Sequence, residues 1–277
     1  SAQQDPDPEP VQWFKNGGPL GILQEPVDRN IFPKREHEKL EFTPADLLDE
    51  AANHGDSVRV HPAASDDEDA WTQIRLFVAL GFLLEFKSYA DIVSYLGRDP
   101  VVSPFIVLVK ERGGRIKRRI ILNLKKSKIS SASRNAERVM LPRTLDATWD
   151  IMELLSEIKA DNENLAIMVL DFKDAFWQIP LLPEEMPFVV GKLGSSFFLF
   201  RRAPQGSRGA PLLWARTVAL LARLTHAMHP CGKFRASVYV DDPLIVVSGT
   251  FKQLMRMLVK TAVALTCLGF DMASHKT

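Results

Sequence analysis

The sequence predicts an α+β fold, an antiparallel sheet packed on helices. Three observations predict it. Helical patterns with recognisable caps alternate with short apolar runs. Those runs come in pairs around turn residues, at Gly194-Ser195 and again at Asp241-Asp242. No segment repeats at a fixed period, so a solenoid or propeller is not indicated.

Composition sets the outer limits. The chain has 277 residues, 46% hydrophobic and 25% charged, the profile of a globular chain with room for one large or two smaller compact units. Cys231 and Cys267 are too few for a disulfide framework, and a reducing, intracellular location (nucleus or cytoplasm) is expected. The longest apolar run, residues 76–84, is too short to span a bilayer, no secretory signal is seen, and no membrane partner is expected. The chain opens on Ser1 rather than Met, as a fragment or processed product would. Net charge is +1, but it is unevenly spread. Residues 1–70 are acidic, densest at Asp66-Asp67-Glu68-Asp69. Between residues 110 and 138 lie Lys110, Arg112, Arg115, Lys117, Arg118, Arg119, Lys125, Lys126, Lys128, Arg134 and Arg138, against Glu111 and Glu137. Such a stripe is either a solvated face or the footprint of phosphate binding.

In chain order, residues 1–10 are polar and rich in Pro and Asp, and disorder is expected. Residues 13–22 mix aromatics with turn formers and read as an ordered loop. Thr43, Pro44 and Asp46 form a capping box with Pro at the first helical position, and Gly55 marks a stop. The acidic run that follows reads as a linker. Residues 71–86 read as one apolar helix, and Ser88 caps another that ends at Gly97. Residues 103–110 and 116–124 read as a hairpin about Gly113-Gly114. A helix over residues 146–159 carries Ile151, Leu154, Leu155 and Ile158 on one face. Residues 165–170 form a strand ending in Asp171. A hairpin over 188–201, a long helix over 211–228, the Asp241-Asp242 hairpin and a helix from Thr250 to residue 268 complete the pattern.

The two acidic strand ends carry the chemistry. Asp241 and Asp242 sit at the tip of an apolar hairpin, and Asp171 closes another apolar strand, with Asp174 after the turn. Clustered carboxylates repel one another unless a cation lies between them, and a hard divalent ion prefers oxygen ligands. The alternative is a wet Asp-Asp-Pro turn with no ligand. If the strands are neighbours, Asp171 and Asp241 can share a metal.

Tyr239-Val240-Asp241-Asp242 resembles the Tyr-x-Asp-Asp box of reverse transcriptases. Asp171-Phe172-Lys173-Asp174-Ala175-Phe176 resembles the family's first catalytic-aspartate motif, and Ala203-Pro204-Gln205-Gly206-Ser207-Arg208-Gly209-Ala210-Pro211 its Pro-Gln-Gly motif. The order and spacing match, and the resemblance covers roughly residue 101 onward. It implies a right-hand polymerase with fingers and a palm, the palm sheet packed on helices and the thumb absent or truncated. Residues 1–100 would be an acidic, partly helical extension, 101–146 and 179–208 fingers, and 147–178 and 209–277 palm.

By the same resemblance, Asp171, Asp241, Asp242 and the Phe172 carbonyl would bind two Mg²⁺ ions, or Mn²⁺, and Lys276 would protonate the leaving pyrophosphate. Lys110 and Arg119 would clamp the triphosphate; Asp174 and Ala175 would offer it backbone N–H groups. Phe176 would exclude a ribose 2′-hydroxyl, and Gln205 would meet the nucleotide. Gly206, Arg208, Tyr239 and Val240 would contact template or primer. The partners implied are an RNA or DNA template with its primer, and deoxynucleoside triphosphates. The activity implied is RNA-directed DNA synthesis by a retroelement enzyme. The alternatives are an inactive relic that still binds nucleic acid and, disfavoured by Phe176, an RNA-directed RNA polymerase. Two positions depart from the family: Asn123 replaces its usual Asp, and Pro243 follows the second acid of the box.

Overall fold

The computed structural model describes residues 5–36, 39–60, 62–112 and 115–273. In chain order the elements are α1 (Glu9–Asn16), α2 (Pro44–His54), α3 (Pro62–Ser65), α4 (Glu68–Ala79), β1 (Leu83–Phe86), α5 (Tyr89–Leu96), β2 (Val102–Arg112), β3 (Arg115–Leu122), α6 (Ile129–Ala132), α7 (Thr144–Ser156), β4 (Glu163–Val169), β5 (Val190–Leu193), β6 (Ser196–Phe200), α8 (Ala210–Met228), β7 (Phe234–Tyr239), β8 (Asp242–Thr250) and α9 (Phe251–Cys267). The fold is α+β, with sheets packed on helices. The chain divides into a smaller unit, Ser1–Asp7, Val139–Gln178 and Trp214–Thr277, and a larger one, Pro8–Arg138 and Ile179–Leu213. Among the described residues no helix is long and apolar enough to cross a membrane.

The larger unit holds a five-stranded sheet in the order β1-β6-β5-β2-β3. All its pairings are antiparallel except β2 with β5. Phe105, Phe198 and Phe200 pack in its core, with ring centroids about 6 Å apart. Glu185 is fully buried and accepts backbone N–H bonds from Leu20, Ile22 at 3.0 Å, Leu23 at 2.8 Å and Gln24 at 3.1 Å. One carboxylate thereby satisfies four donors of a loop that has no ladder of its own. Burial pushes this carboxyl up, while the four N–H groups pull it down.

The capping signals at Thr43 and Ser88 are realised, each side chain accepting from the third helical N–H, and Gly97 is left-handed at φ +67°. Other expectations are corrected. The 71–86 run is not one helix: α4 stops at Ala79, Gly81 turns at φ +71°, and residues 83–86 pair with β6. The acidic run is no linker, because Asp67 caps α4 through Ala70 N–H. Asp67 and Asp69 also pair with Arg118, and Glu50 pairs with Lys128 at 2.9 Å. The basic stripe is thus partly neutralised by acids from the preceding hundred residues. Gly113-Gly114 lies outside the described residues.

The smaller unit holds an antiparallel three-stranded sheet, β4-β8-β7. α9 packs on β8 and β4, and α7 on β8 and β7. Disorder over residues 1–10 is corrected for the part described. Asp7 and Arg216 are both fully buried and joined by two bonds, Nε to Oδ2 at 2.7 Å and Nη2 to Oδ1 at 2.5 Å. Asp5 holds Arg223 on the same helix at 2.7 Å. A polar N-terminal stretch is ordered because two arginines of α8 meet its charges.

Candidate metal centre

The hairpin of β7 and β8 closes tightly. Tyr239 pairs with Asp242, which leaves Val240 and Asp241 as a two-residue loop. Val240 has φ +57°, a conformation that a β-branched residue seldom takes. Two-residue hairpin loops need positive φ to match strand twist, and glycine ordinarily supplies it. Here valine does.

The β4–β8 ladder brings the third acid in. Its register pairs Val169 with Leu244 and continues past the strand end. Leu170 N–H donates to Pro243 O at 2.9 Å, and Phe172 N–H to Asp241 O at 2.8 Å. Asp171 therefore stands opposite Asp242, at a position between these two bonded pairs, where side chains approach closest. Pro243 returns no bond to Leu170, so one ladder bond is missing beside the acids. Asp242 itself begins β8 in extended conformation, as a residue preceding proline prefers.

The three carboxylates converge. Asp171, Asp241 and Asp242 each offer one oxygen, and these oxygens lie within 4.8 Å of one another. Opposite oxygens on one Mg²⁺ are ~4 Å apart, given bonds of ~2.0–2.1 Å, so small side-chain rotations would close the set around an ion. Asp171 is buried and the other two are half-buried, so the carboxylates are partly open to solvent. A hard, oxygen-seeking divalent cation fits this donor set.

The floor of the site is aromatic. The rings of Phe172 and Trp214 meet edge to face at 5.1 Å, and Phe270 closes the triangle at 5.7 Å and 6.3 Å. Trp214 Nε1 donates to the Val240 carbonyl at 2.6 Å. The Asp171 segment is also tied to the end of the described chain: Lys173 N–H donates to Asp271 O at 2.9 Å and Ala273 N–H to Asp171 O at 2.8 Å. Gln178 bridges the two segments, donating to Lys173 O at 2.6 Å and to Asp271 O at 3.2 Å. Sequence reading had no signal for Trp214, Phe270 or Gln178 as supports. Trp214 and Phe270 read as ordinary core residues and Gln178 as an ordinary polar one.

The remaining predicted residues are distributed as follows. Asp174 has φ +50° and its carbonyl accepts from Trp177 N–H at 2.8 Å. Ala175 is buried and Phe176 half-buried in the 3-10 turn Ala175–Gln178. Tyr239 is exposed. In the larger unit, Lys110 and Arg119 are exposed on β2 and β3. The register pairs Leu108 with Arg119 and Lys110 with Lys117, so Lys110 and Arg119 share a face as diagonal neighbours.

Gln205 accepts from Leu122 N–H at 3.3 Å. Gly206 has φ +103°, and a Cβ there would lie 2.6 Å from Leu122 O, so this loop backs onto β3 only as glycine. Arg208 reaches the carbonyls of Ser130 and Ser133, and its own carbonyl accepts from Asn135. Asn123 uses its side chain locally, accepting from Lys126 N–H at 3.2 Å. Lys276 lies outside the described residues.

A family model described as reverse transcriptase (RNA-dependent DNA polymerase) matches residues 109–277, well over half the chain. No curated protein matches it. The chain belongs to the reverse transcriptase (RNA-dependent DNA polymerase) family.

Proposed function

We propose that this chain carries the catalytic centre of a retroelement RNA-directed DNA polymerase that joins deoxynucleotides to a primer with release of pyrophosphate. The observation that supports the reading is the convergence of Asp171, Asp241 and Asp242 to within 4.8 Å. Asp171, Asp241 and Asp242, with the Phe172 carbonyl, would hold the metal. The chemistry supplied at such a site, when Mg²⁺ or Mn²⁺ is bound, is activation of the primer 3′-hydroxyl and neutralisation of the leaving pyrophosphate.

The chain's own residues supply position and charge, which is most of what phosphoryl transfer asks of a protein. In this reading the smaller unit is the palm. The β2–β3 strands and the Gln205-Gly206 loop, in the larger unit, belong to the fingers. Lys110 and Arg119 share a face suited to phosphate, Arg119 with a planar fork. Asp174 and Ala175 would offer N–H groups to the triphosphate, and Phe176 would select the deoxy sugar. Gln205 would contact the nucleotide, with Gly206, Arg208, Tyr239 and Val240 along template and primer. Lys276 would serve as general acid. An intracellular location goes with the same reading.

A second reading, an inactive relic that binds nucleic acid, draws on Pro243, which removes a ladder bond next to the acids. Primer extension on a poly(rA) template with an oligo(dT) primer and Mg²⁺ separates the two, with Asp241→Asn as control. Extension by the wild type and none by the variant is expected. Equal extension by both, or by neither, sinks the polymerase reading.

A further inference from the structure

We propose that Trp214 is a positioning residue for the acidic turn: its indole N–H locks the Val240 peptide and, through it, Asp241. The inference rests on the metal-site reading of Asp171, Asp241 and Asp242.

Trp214 is 1% exposed, and a buried indole N–H needs an acceptor. The one it takes, at 2.6 Å, is the carbonyl of Val240, the loop residue held at φ +57°. Valine in that region is strained, yet the two-residue loop needs a positive φ to close, so the loop depends on contacts that hold it there. The indole N–H fixes the Val240 carbonyl and with it the peptide that leads into Asp241. It does so in the loop conformation in which Asp241 meets the other two acids.

The indole is a firm support. Its ring meets Phe172 at 5.1 Å and Phe270 at 6.3 Å. Phe172 follows Asp171 directly, so one side chain braces both acid-bearing segments, the turn through its N–H and the β4 extension through its ring. Two residues along α8, the buried Arg216–Asp7 pair fixes the helix. A glycine at 240 would adopt the same φ without strain and would have less need of the indole.

The test measures Mn²⁺ affinity by electron paramagnetic resonance on the full chain, alongside the melting temperature. Trp214→Phe keeps a ring and removes the N–H. Its Mn²⁺ dissociation constant should rise roughly tenfold, the loss expected for one buried hydrogen bond, measured at a temperature where the melting curve shows the variant folded. Adding Val240→Gly to that variant should recover most of the affinity. If Trp214→Phe does not fold, benzothienylalanine at position 214 keeps the indole shape without the N–H and should show the same tenfold loss. Wild-type affinity in either Trp214 replacement, or a loss that Val240→Gly leaves unchanged, overturns the inference. Asp241→Asn separates the two levels. If it abolishes Mn²⁺ binding while the Trp214 replacements retain it, only the role of Trp214 fails. If the wild type binds no Mn²⁺, or Asp241→Asn binds it as well as the wild type, the metal site fails and this inference with it.

Discussion

Asp171 and Asp242 stand opposite one another across the β4–β8 ladder, set there by the register that pairs Val169 with Leu244. With Asp241 they place three acids within 4.8 Å. At that range, like charges repel by up to ~3 kcal/mol at an effective dielectric of ~20, and by less where solvent screens them. Asp242→Asn should therefore raise the melting temperature in EDTA, by the equivalent of ~1 kcal/mol. If the acids hold a metal, it should also abolish the further rise expected when Mg²⁺ or Mn²⁺ is added to the wild type. A calorimetric scan with and without metal checks both.

The Asp7–Arg216 pair is fully buried. Removing one partner of such a pair leaves an uncompensated charge, at a cost of ~3–5 kcal/mol. Asp7→Asn should lose about that much stability in a urea titration. Asp5→Asn, at the more exposed Arg223 pair, should lose less than ~1 kcal/mol.

Glu185 serves four backbone donors at once. Leu20 alone meets Oε2 while the other three donors share Oε1, so glutamine must turn its NH₂ group towards at least one N–H. Glu185→Gln should cost ~3 kcal/mol, with proteolysis near residues 20–24 as the local readout.

His229 is buried, with Nε2 3.0 Å from Thr261 Oγ1 and its ring 4.5 Å from that of Phe234. Burial first, then the charges of Lys260 and His226, hold its imidazole below the ordinary value. The folded chain then binds this proton less readily than the unfolded chain does. Its contribution to stability is complete above the unfolded value and is lost as pH falls through ~6.5. Denaturant midpoints should drop between pH ~7.5 and ~5.5. The drop should shrink in His229→Gln.

Phe176 tests sugar selection. If its ring excludes a 2′-hydroxyl, Phe176→Ala should raise ribonucleotide incorporation by roughly tenfold or more, a discrimination worth at least ~1.4 kcal/mol. Primer extension with ribonucleotide against deoxynucleotide substrates measures the ratio, and an unchanged ratio rejects the gate.

What could be read from the sequence was what neighbouring residues decide. The caps at Thr43 and Ser88, the Gly194-Ser195 turn and the acidic hairpin are written in a few adjacent residues each, and the structure has them in place. What could not be read depends on distant partners. β1 is four residues inside an apolar run, a strand only because β6 is there to pair with it. Asp7 looked like part of a solvated tail because its partner lies 209 positions away. The support of the acidic turn by Trp214 was hidden because a tryptophan on an amphipathic helix usually signals only core packing.

The smaller unit is assembled from three separated stretches, the first of which ends at Asp7 and the last of which begins at Trp214. During synthesis, Arg216 leaves the ribosome 209 residues after Asp7, and the acidic turn later still. Loop-closure entropy is met before such distant contacts can reward it. The acids therefore have no assembled neighbourhood until the stretch beginning at Trp214 has been made, and a chain stalled short of Phe270 would carry all three aspartates but not the full aromatic floor beneath them.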